Sequence, residues 1–86
     1  MSWDTDGFRE KLESQHVFPG EYIFKFIVPN DKVHEVDSLS IEGHITKRES
    51  SNGNYVSVTI RSIVTGPEDV INTYRRSSKI DGLIAL

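Results

Sequence analysis

IEGHITKRESSNGNYVSVTIRSIV, residues 41–64, decides the fold of this chain. The dipeptide Asn52-Gly53 is typical of a tight hairpin turn, because both residues tolerate the positive φ that a type I′ turn requires. A two-residue turn at this point predicts that Ile45 faces Ile60 and that Ser50 faces Tyr55. The segment therefore predicts a β-hairpin whose register can be checked residue by residue.

The two strands of this hairpin agree on which face is apolar. The apolar face carries Ile41, Ile45, Val56, Val58, Ile60 and Val64, with Ile41 predicted opposite Val64. The other face carries His44, Thr46, Arg48, Tyr55, Ser57, Thr59 and Arg61. A slip of one residue would destroy this agreement. One apolar and one polar face indicate an antiparallel sheet covered on a single side. Lys47 and Glu49 fall on the apolar face, so we expect the tip to project beyond the covering layer.

The segment YIFKFIV, residues 22–28, predicts the strand that lies beside the hairpin. Tyr22, Phe24, Phe26 and Val28 share one face, while Ile23, Lys25 and Ile27 share the other. Apolar residues on both faces indicate a central strand. We expect Pro19-Gly20 to form a type II turn before it and Pro29 to end it.

Helical patterns flank these strands. Residues 1–16 predict an N-terminal arm or short helix, capped by Thr5 or Asp6 and anchored by Phe8 and Leu12, with Trp3 as a docking contact. A short helix over roughly 32–39, capped by Asn30 or Asp31, presents Val33, Val36 and Leu39. A further helix begins at Pro67 and presents Val70, Ile71 and Tyr74. Residues 83–86 predict a final short strand.

The order of these elements is strand, helix, strand, strand, helix, strand. This order predicts an α+β fold, the ferredoxin-like βαββαβ sandwich, with two helices on one face of a four-stranded antiparallel sheet. The first and third strands should lie in the middle. We assign residues 17–86 to this domain and residues 1–16 to the arm. Phe24, Phe26, Val58, Ile60 and Tyr74 should be among the most buried residues.

The composition argues against several classes of protein. A net charge of −3 and a pI of about 5.5 do not favour general binding to nucleic acid or anionic membranes. The chain has no cysteine and no apolar run of the roughly 20 residues that a membrane span needs. The first residues do not resemble a signal peptide. We therefore expect a soluble cytoplasmic protein.

Three segments resemble a known family: FPGEYIFKFI (18–27), ESSNGNYVSVTI (49–60) and VINTYRRSSKIDGLIAL (70–86). The matching positions are Phe18, Pro19, Tyr22, Ser50, Gly53, Tyr55, Ser57, Tyr74, Ile80, Asp81 and Gly82. In this combination the chain resembles the YbeD-like family of small uncharacterised bacterial proteins. The resemblance covers about residues 17–86 and implies a ferredoxin-like fold related to ACT-type regulatory domains. It also implies a genomic link to lipoate metabolism, without an established enzymatic activity.

No pattern of catalytic or metal-binding residues emerges. His16, His34 and His44 lie in separate elements without metal-ligand spacing. Ser50 and Ser51 sit at the predicted hairpin tip without a base partner. Nucleophile-elbow, phosphate-loop and dinucleotide motifs are absent from the sequence. We predict no enzyme, no cofactor and no metal site.

The uncovered sheet face is the candidate functional surface. It should carry Ile23, Lys25, Ile27, His44, Arg48, Tyr55 and Arg61. Isoleucines that would otherwise face solvent favour a protein partner or self-association, so we predict a regulatory or protein-interaction module. Two alternatives stay open: an ACT-like small-molecule sensor that uses the 28–31 loop, and an RNA-binding module, because RNA-recognition domains share this topology.

Overall fold

The computed structural model describes residues 4–86, so the predicted docking contact of Trp3 lies outside the described part of the chain. Eight elements follow in order: α1 (Thr5–Gln15), β1 (Gly20–Pro29), a 3₁₀ turn (Asn30–Lys32), α2 (Val33–Asp37), β2 (His44–Glu49), β3 (Tyr55–Val64), α3 (Pro67–Ser77) and β4 (Ile84–Ala85). All neighbouring strands are antiparallel, in the order β2-β3-β1-β4. The described residues thus form an α+β structure with a four-stranded antiparallel sheet and three helices, and β1 and β3 are central as predicted.

The register of the β2–β3 hairpin is the predicted one. Ile45 lies opposite Ile60 and Thr46 opposite Thr59. The backbone N–H of Ser50 donates to the carbonyl oxygen of Tyr55 at 2.8 Å. A one-residue shift would move Ile45 to the face opposite the buried residues of β3, so the shared apolar face and the position of the turn together specified this pairing.

The predicted type I′ turn is wrong. Residues 51–54 form a four-residue loop, and within it only Gly53 has a positive φ, of 74°. The Asn52 side-chain oxygen accepts hydrogen bonds from the backbone N–H of Asn54 at 3.2 Å and from the Ser50 hydroxyl at 2.9 Å. These local bonds support the loop without a positive φ at Asn52. The register survives because the longer loop still leaves Ser50 opposite Tyr55.

Strand β2 begins later than predicted, so the expected pairing of Ile41 with Val64 is also wrong. Gly43 has a φ of 145° and its α-carbon lies so close to the Arg61 carbonyl oxygen that a β-carbon would collide with it. The chain therefore turns at Gly43, and Ile41 packs half-buried against the core from outside the strand. Ile45 is 40% exposed, and no residue of β2 is buried.

The approach to β1 differs from the predicted type II turn. Such a turn would need a positive φ at Gly20, and Gly20 does not have one. Instead the Phe18–Pro19 peptide bond is cis, and Gly20 is the first residue of β1. Pro29 is the last residue of the strand, as predicted.

Helix caps are the least accurate of the sequence-based predictions. Asp4 caps α1, because its carboxylate accepts a hydrogen bond from the Gly7 backbone N–H at 3.0 Å. Neither Asn30 nor Asp31 caps α2. The Asn30 side-chain nitrogen instead donates to the Gly53 carbonyl oxygen at 2.8 Å, which ties the end of β1 to the hairpin loop.

Helix α3 begins at Pro67 as predicted, and Asp69 stabilises its first turn. The Asp69 carboxylate accepts hydrogen bonds from both the backbone N–H and the hydroxyl of Thr65, each at 2.7 Å. These bonds lower the pKa of Asp69 below its ordinary value, because they favour the ionised form.

A single hydrophobic core joins one face of the sheet to the helices. Its buried members are Leu12, Phe24, Phe26, Val28, Val36, Val56, Val58, Ile60, Val64, Val70, Ile71 and Ile80. Phe24, Phe26, Val58 and Ile60 are fully buried, as predicted. Tyr74 was expected among the most buried residues but is only half-buried, beside an open cleft.

Candidate interaction surface

The face of the sheet that points away from the core is named here the open face. β3 alternates between buried Val58 and Ile60 and outward-facing Ser57 and Arg61. β1 alternates in the same way, with Phe24 buried and Ile23 exposed. This alternation follows directly from the two-residue period of a strand.

Strand pairing arranges the open face in three cross-strand rows. Read from β2 towards β4, the rows are His44, Arg61 and Ile23; Thr46, Thr59 and Lys25; and Arg48, Ser57, Ile27 and Ile84. Ile63 lies beyond the first row, opposite Glu21, and Tyr55 lies beyond the third, opposite Pro29. The structure thus brings all seven sequence-predicted residues onto one face.

The β1 and β4 side of the open face is apolar. Ile23 is 46% exposed, Ile84 is 54% exposed, and Ile27 lies beside Ile84 in the same row. The backbone N–H of Leu86 donates to the Lys25 carbonyl oxygen at 2.9 Å, so continued alternation places the exposed Leu86 next to these isoleucines. We call Ile23, Ile27, Ile84 and Leu86 the apolar half.

Within the three rows, the β2 and β3 side of the open face is polar and cationic, and Ile63 and Tyr55 of β3 lie outside these rows. This side carries Arg61, Arg48 and His44, separated by small hydroxyl residues. Lys25 adds a positive charge on β1, where it lies between Ile23 and Ile27. Arg61 donates to both carboxylate oxygens of Glu21 at 3.1–3.2 Å. Within residues 4–86, Lys25 and Arg48 take part in no ion pair. We call Arg48, Arg61 and Lys25 the cationic half.

Sequence reasoning missed three exposed apolar residues of this surface: Ile63, Ile84 and Leu86. Ile63 could have been found, because it has the same parity as Arg61 in β3 and is 72% exposed. Ile84 and Leu86 could not, because their face depends on the register between β1 and β4, which the two-residue strand β4 does not specify in the sequence.

A second candidate for a chemical role is a pair of tyrosines on the helix side of the sheet. The Tyr22 and Tyr74 hydroxyl oxygens are 3.3 Å apart. Burial, followed by this hydrogen bond, raises the pKa of the Tyr74 hydroxyl. A cleft of about 340 Å³ lies beside Tyr74, between Phe8, Ser77 and Leu83. The pair lies within an aromatic cluster, since the Phe24 ring centroid is 5.4 Å from that of Tyr74.

Other candidate groups stay apart or have structural partners. No cluster of three metal-ligating side chains occurs in the described part of the chain. The ring of His16 packs against that of Tyr22, with 5.2 Å between the two centroids. His34 lies in α2 and His44 in β2. The Ser50 hydroxyl, at the hairpin tip, is hydrogen-bonded to Asn52 and to the backbone of Tyr55. Within residues 4–86 no helix has both the length and the apolar character needed to span a bilayer.

These observations define a class: a small α+β protein whose sheet is covered on one face and presents an apolar and cationic surface on the other. The chain matches the model of a protein family over residues 13–86, the family "Protein of unknown function (DUF493)". The chain belongs to this family, which includes the YbeD-like proteins that its motifs resemble. Comparisons with curated proteins and with solved structures gave no significant match.

Proposed function

We propose that this protein is a small, non-enzymatic, cytoplasmic regulatory or protein-interaction module, and that the open face is its contact surface. One observation carries the proposal: isoleucines cluster on the sheet face opposite the core, where Ile23, Ile63 and Ile84 are each about half exposed or more. Single exposed apolar residues are ordinary, but a contiguous group surrounded by polar residues is typical of a contact surface.

The finer description of the fold belongs to this proposal. We infer a ferredoxin-like βαββαβ sandwich related to ACT-type domains, with α1 added before it. The central position of β1 and β3 supports this inference. So does the shared core, in which Val36 of α2 and Ile71 of α3 join the buried residues of the sheet.

The two alternatives have less support. An RNA-binding sheet uses several aromatic side chains to stack bases, whereas Tyr55 is the one phenylalanine, tyrosine or tryptophan among the described residues of the open face. A ligand sensor would use the 28–31 loop, but there the Asn30 side chain is already bound to the hairpin loop.

The test compares two isoleucines of similar exposure on opposite faces of the sheet. Ile23, on the open face, is 46% exposed, and Ile45, on the other face, is 40% exposed. We expect Ile23→Glu to abolish partner capture from an extract of the native host, because it places a charge in the apolar half. Ile45→Glu should capture the same partner as the wild type.

Circular dichroism and light scattering of all three proteins provide the controls for folding and self-association. Both variants should keep the wild-type spectrum, because neither residue contributes to the buried core. Retention of the same partner by a folded Ile23→Glu protein would contradict the proposal.

A further inference from the structure

The charges of this protein are divided unequally between its two sides. The open face carries three of the ten Lys and Arg residues but only one of the thirteen Asp and Glu residues, Glu21. The rest of the molecule is therefore strongly acidic, while the open face has a net positive charge. Since Glu21 is paired with Arg61, the uncompensated positive charge comes from Lys25 and Arg48.

The apolar and charged parts of the open face are separated across the strands. The apolar half lies on β1 and β4, and most of the cationic half lies on β2 and β3. In the third row Arg48 and Ile27 stand two strands apart, about 10 Å at the usual strand spacing. A complementary partner therefore needs an apolar side and an acidic side within about 10 Å of each other.

The size of the face favours a slender partner. Its four strands place the outer strand axes about 14 Å apart, and an α-helix with its side chains is about 10–12 Å wide. One helix laid along the strands would cover most of this width.

We propose that the open face binds an acidic amphipathic helix of another protein, with its apolar stripe on β1 and β4 and its carboxylates towards Lys25 and Arg48. This inference rests on the proposed function of the open face. It specifies the partner by charge complementarity, which determines specificity and the rate of encounter more than raw affinity.

A second copy of this chain fits the surface less well. A twofold dimer through the open face would press two surfaces of net positive charge against each other, which is unfavourable. Binding of the open face to the acidic helical side of a copy would be heterologous and would leave both surfaces available for further addition. RNA would satisfy the charges but not the aliphatic half, because isoleucines do not stack bases.

The experiment is site-specific photo-crosslinking of the full chain in its native host. A benzophenone amino acid replaces Ile84 in the apolar half, and the control replaces Val17, an exposed apolar residue outside the sheet. Mass spectrometry identifies the crosslinked segment. We expect Ile84, but not Val17, to capture a segment with net negative charge and apolar residues at helical spacing.

A synthetic peptide of the captured segment then tests the charges. Lys25→Glu combined with Arg48→Glu should weaken its binding by about tenfold or more. A matched peptide with lysine in place of its acidic residues should bind this double variant more tightly than it binds the wild type.

Every other result overturns the acidic-helix inference, and one of them also overturns the proposed function. A captured protein segment that is neutral or basic, or whose affinity the double variant leaves unchanged, overturns the acidic-helix inference alone. A crosslink to this chain or to RNA also overturns the inference. No crosslink from Ile84 overturns the proposed contact role of the open face as well.

Discussion

Gly53 holds the hairpin loop in a backbone conformation that residues with a side chain rarely adopt. Its φ is 74°, and the space where a β-carbon would stand has no atom within 4 Å. The need for glycine at this position is therefore conformational and not steric. Gly66 provides the opposite case: its surroundings are equally open, but its φ of −173° is ordinary extended backbone.

These two glycines form a matched pair for mutation. We expect Gly53→Ser to lower the free energy of unfolding by about 1–2 kcal/mol, the cost of the left-handed conformation for an L-residue. Gly66→Ser should be neutral or stabilising, because serine is a favoured N-cap and Gly66 caps α3. Urea denaturation of the three proteins measures both effects. Equal stability of the wild type and Gly53→Ser would contradict the loop geometry.

Tyr74 gives the protein a stability change at alkaline pH. Burial and the hydrogen bond with Tyr22 raise the pKa of Tyr74 above its ordinary value of 10.0. The folded protein therefore keeps this proton at pH values where the unfolded chain loses it. The contribution to stability is complete below pH 10 and is lost as the pH rises towards the folded-state pKa.

The Tyr74→Phe variant isolates this effect from the titration of the lysines. Melting temperatures of the wild type and the variant should differ by a constant amount between pH 7 and 9, within the range where an unperturbed tyrosine stays protonated. Above pH 10 the wild type should lose stability more steeply than Tyr74→Phe. Parallel curves up to pH 11 would show that Tyr74 is not perturbed.

At the scale of elements, β2 is an edge strand whose charges protect it from further pairing. Lys47 points to the same side of the sheet as the core, and its ammonium group lies 2.8 Å from the carboxylate of Asp37 at the end of α2. An inward-pointing charge on an edge strand is a common device against edge-to-edge association. Ile45, on the same face of β2, is exposed and is the apolar residue that this charge keeps from pairing with another chain.

We expect Lys47→Ile to promote concentration-dependent association, because it would join Ile45 in an exposed apolar edge. Light scattering over a range of protein concentrations measures this. Lys79→Ile, at an exposed position after α3, is the control for added hydrophobicity alone. Equal masses for the two variants at all concentrations would mean that Lys47 has no protective role.

The elements also show what the sequence could specify. The alternation of Phe24, Phe26, Val58 and Ile60 defined both central strands and their buried faces, because strand periodicity is local. The loop at Asn52 and the role of Asn30 could not be predicted, because their side chains have several competing backbone partners and the fold selects among them. The exposed Ile84 depends on pairing between strands far apart in the chain.

At the scale of the whole molecule, the protein has a core side and an open face. Its isoleucines report on both sides. Ile23, Ile27, Ile63 and Ile84 lie on the open face, whereas Ile60, Ile71 and Ile80 are buried in the core. The chain thus carries its own internal controls for a measurement of where a partner binds.

The most direct measurement is a methyl NMR spectrum of the isoleucine-labelled protein in an extract of its native host. We predict that the signals of Ile23, Ile27, Ile63 and Ile84 broaden or shift, while those of Ile60, Ile71 and Ile80 keep their positions and relative intensities. An unchanged spectrum, or changes centred on Ile41 and Ile45 on the other face, would contradict the claim that the open face is the contact surface.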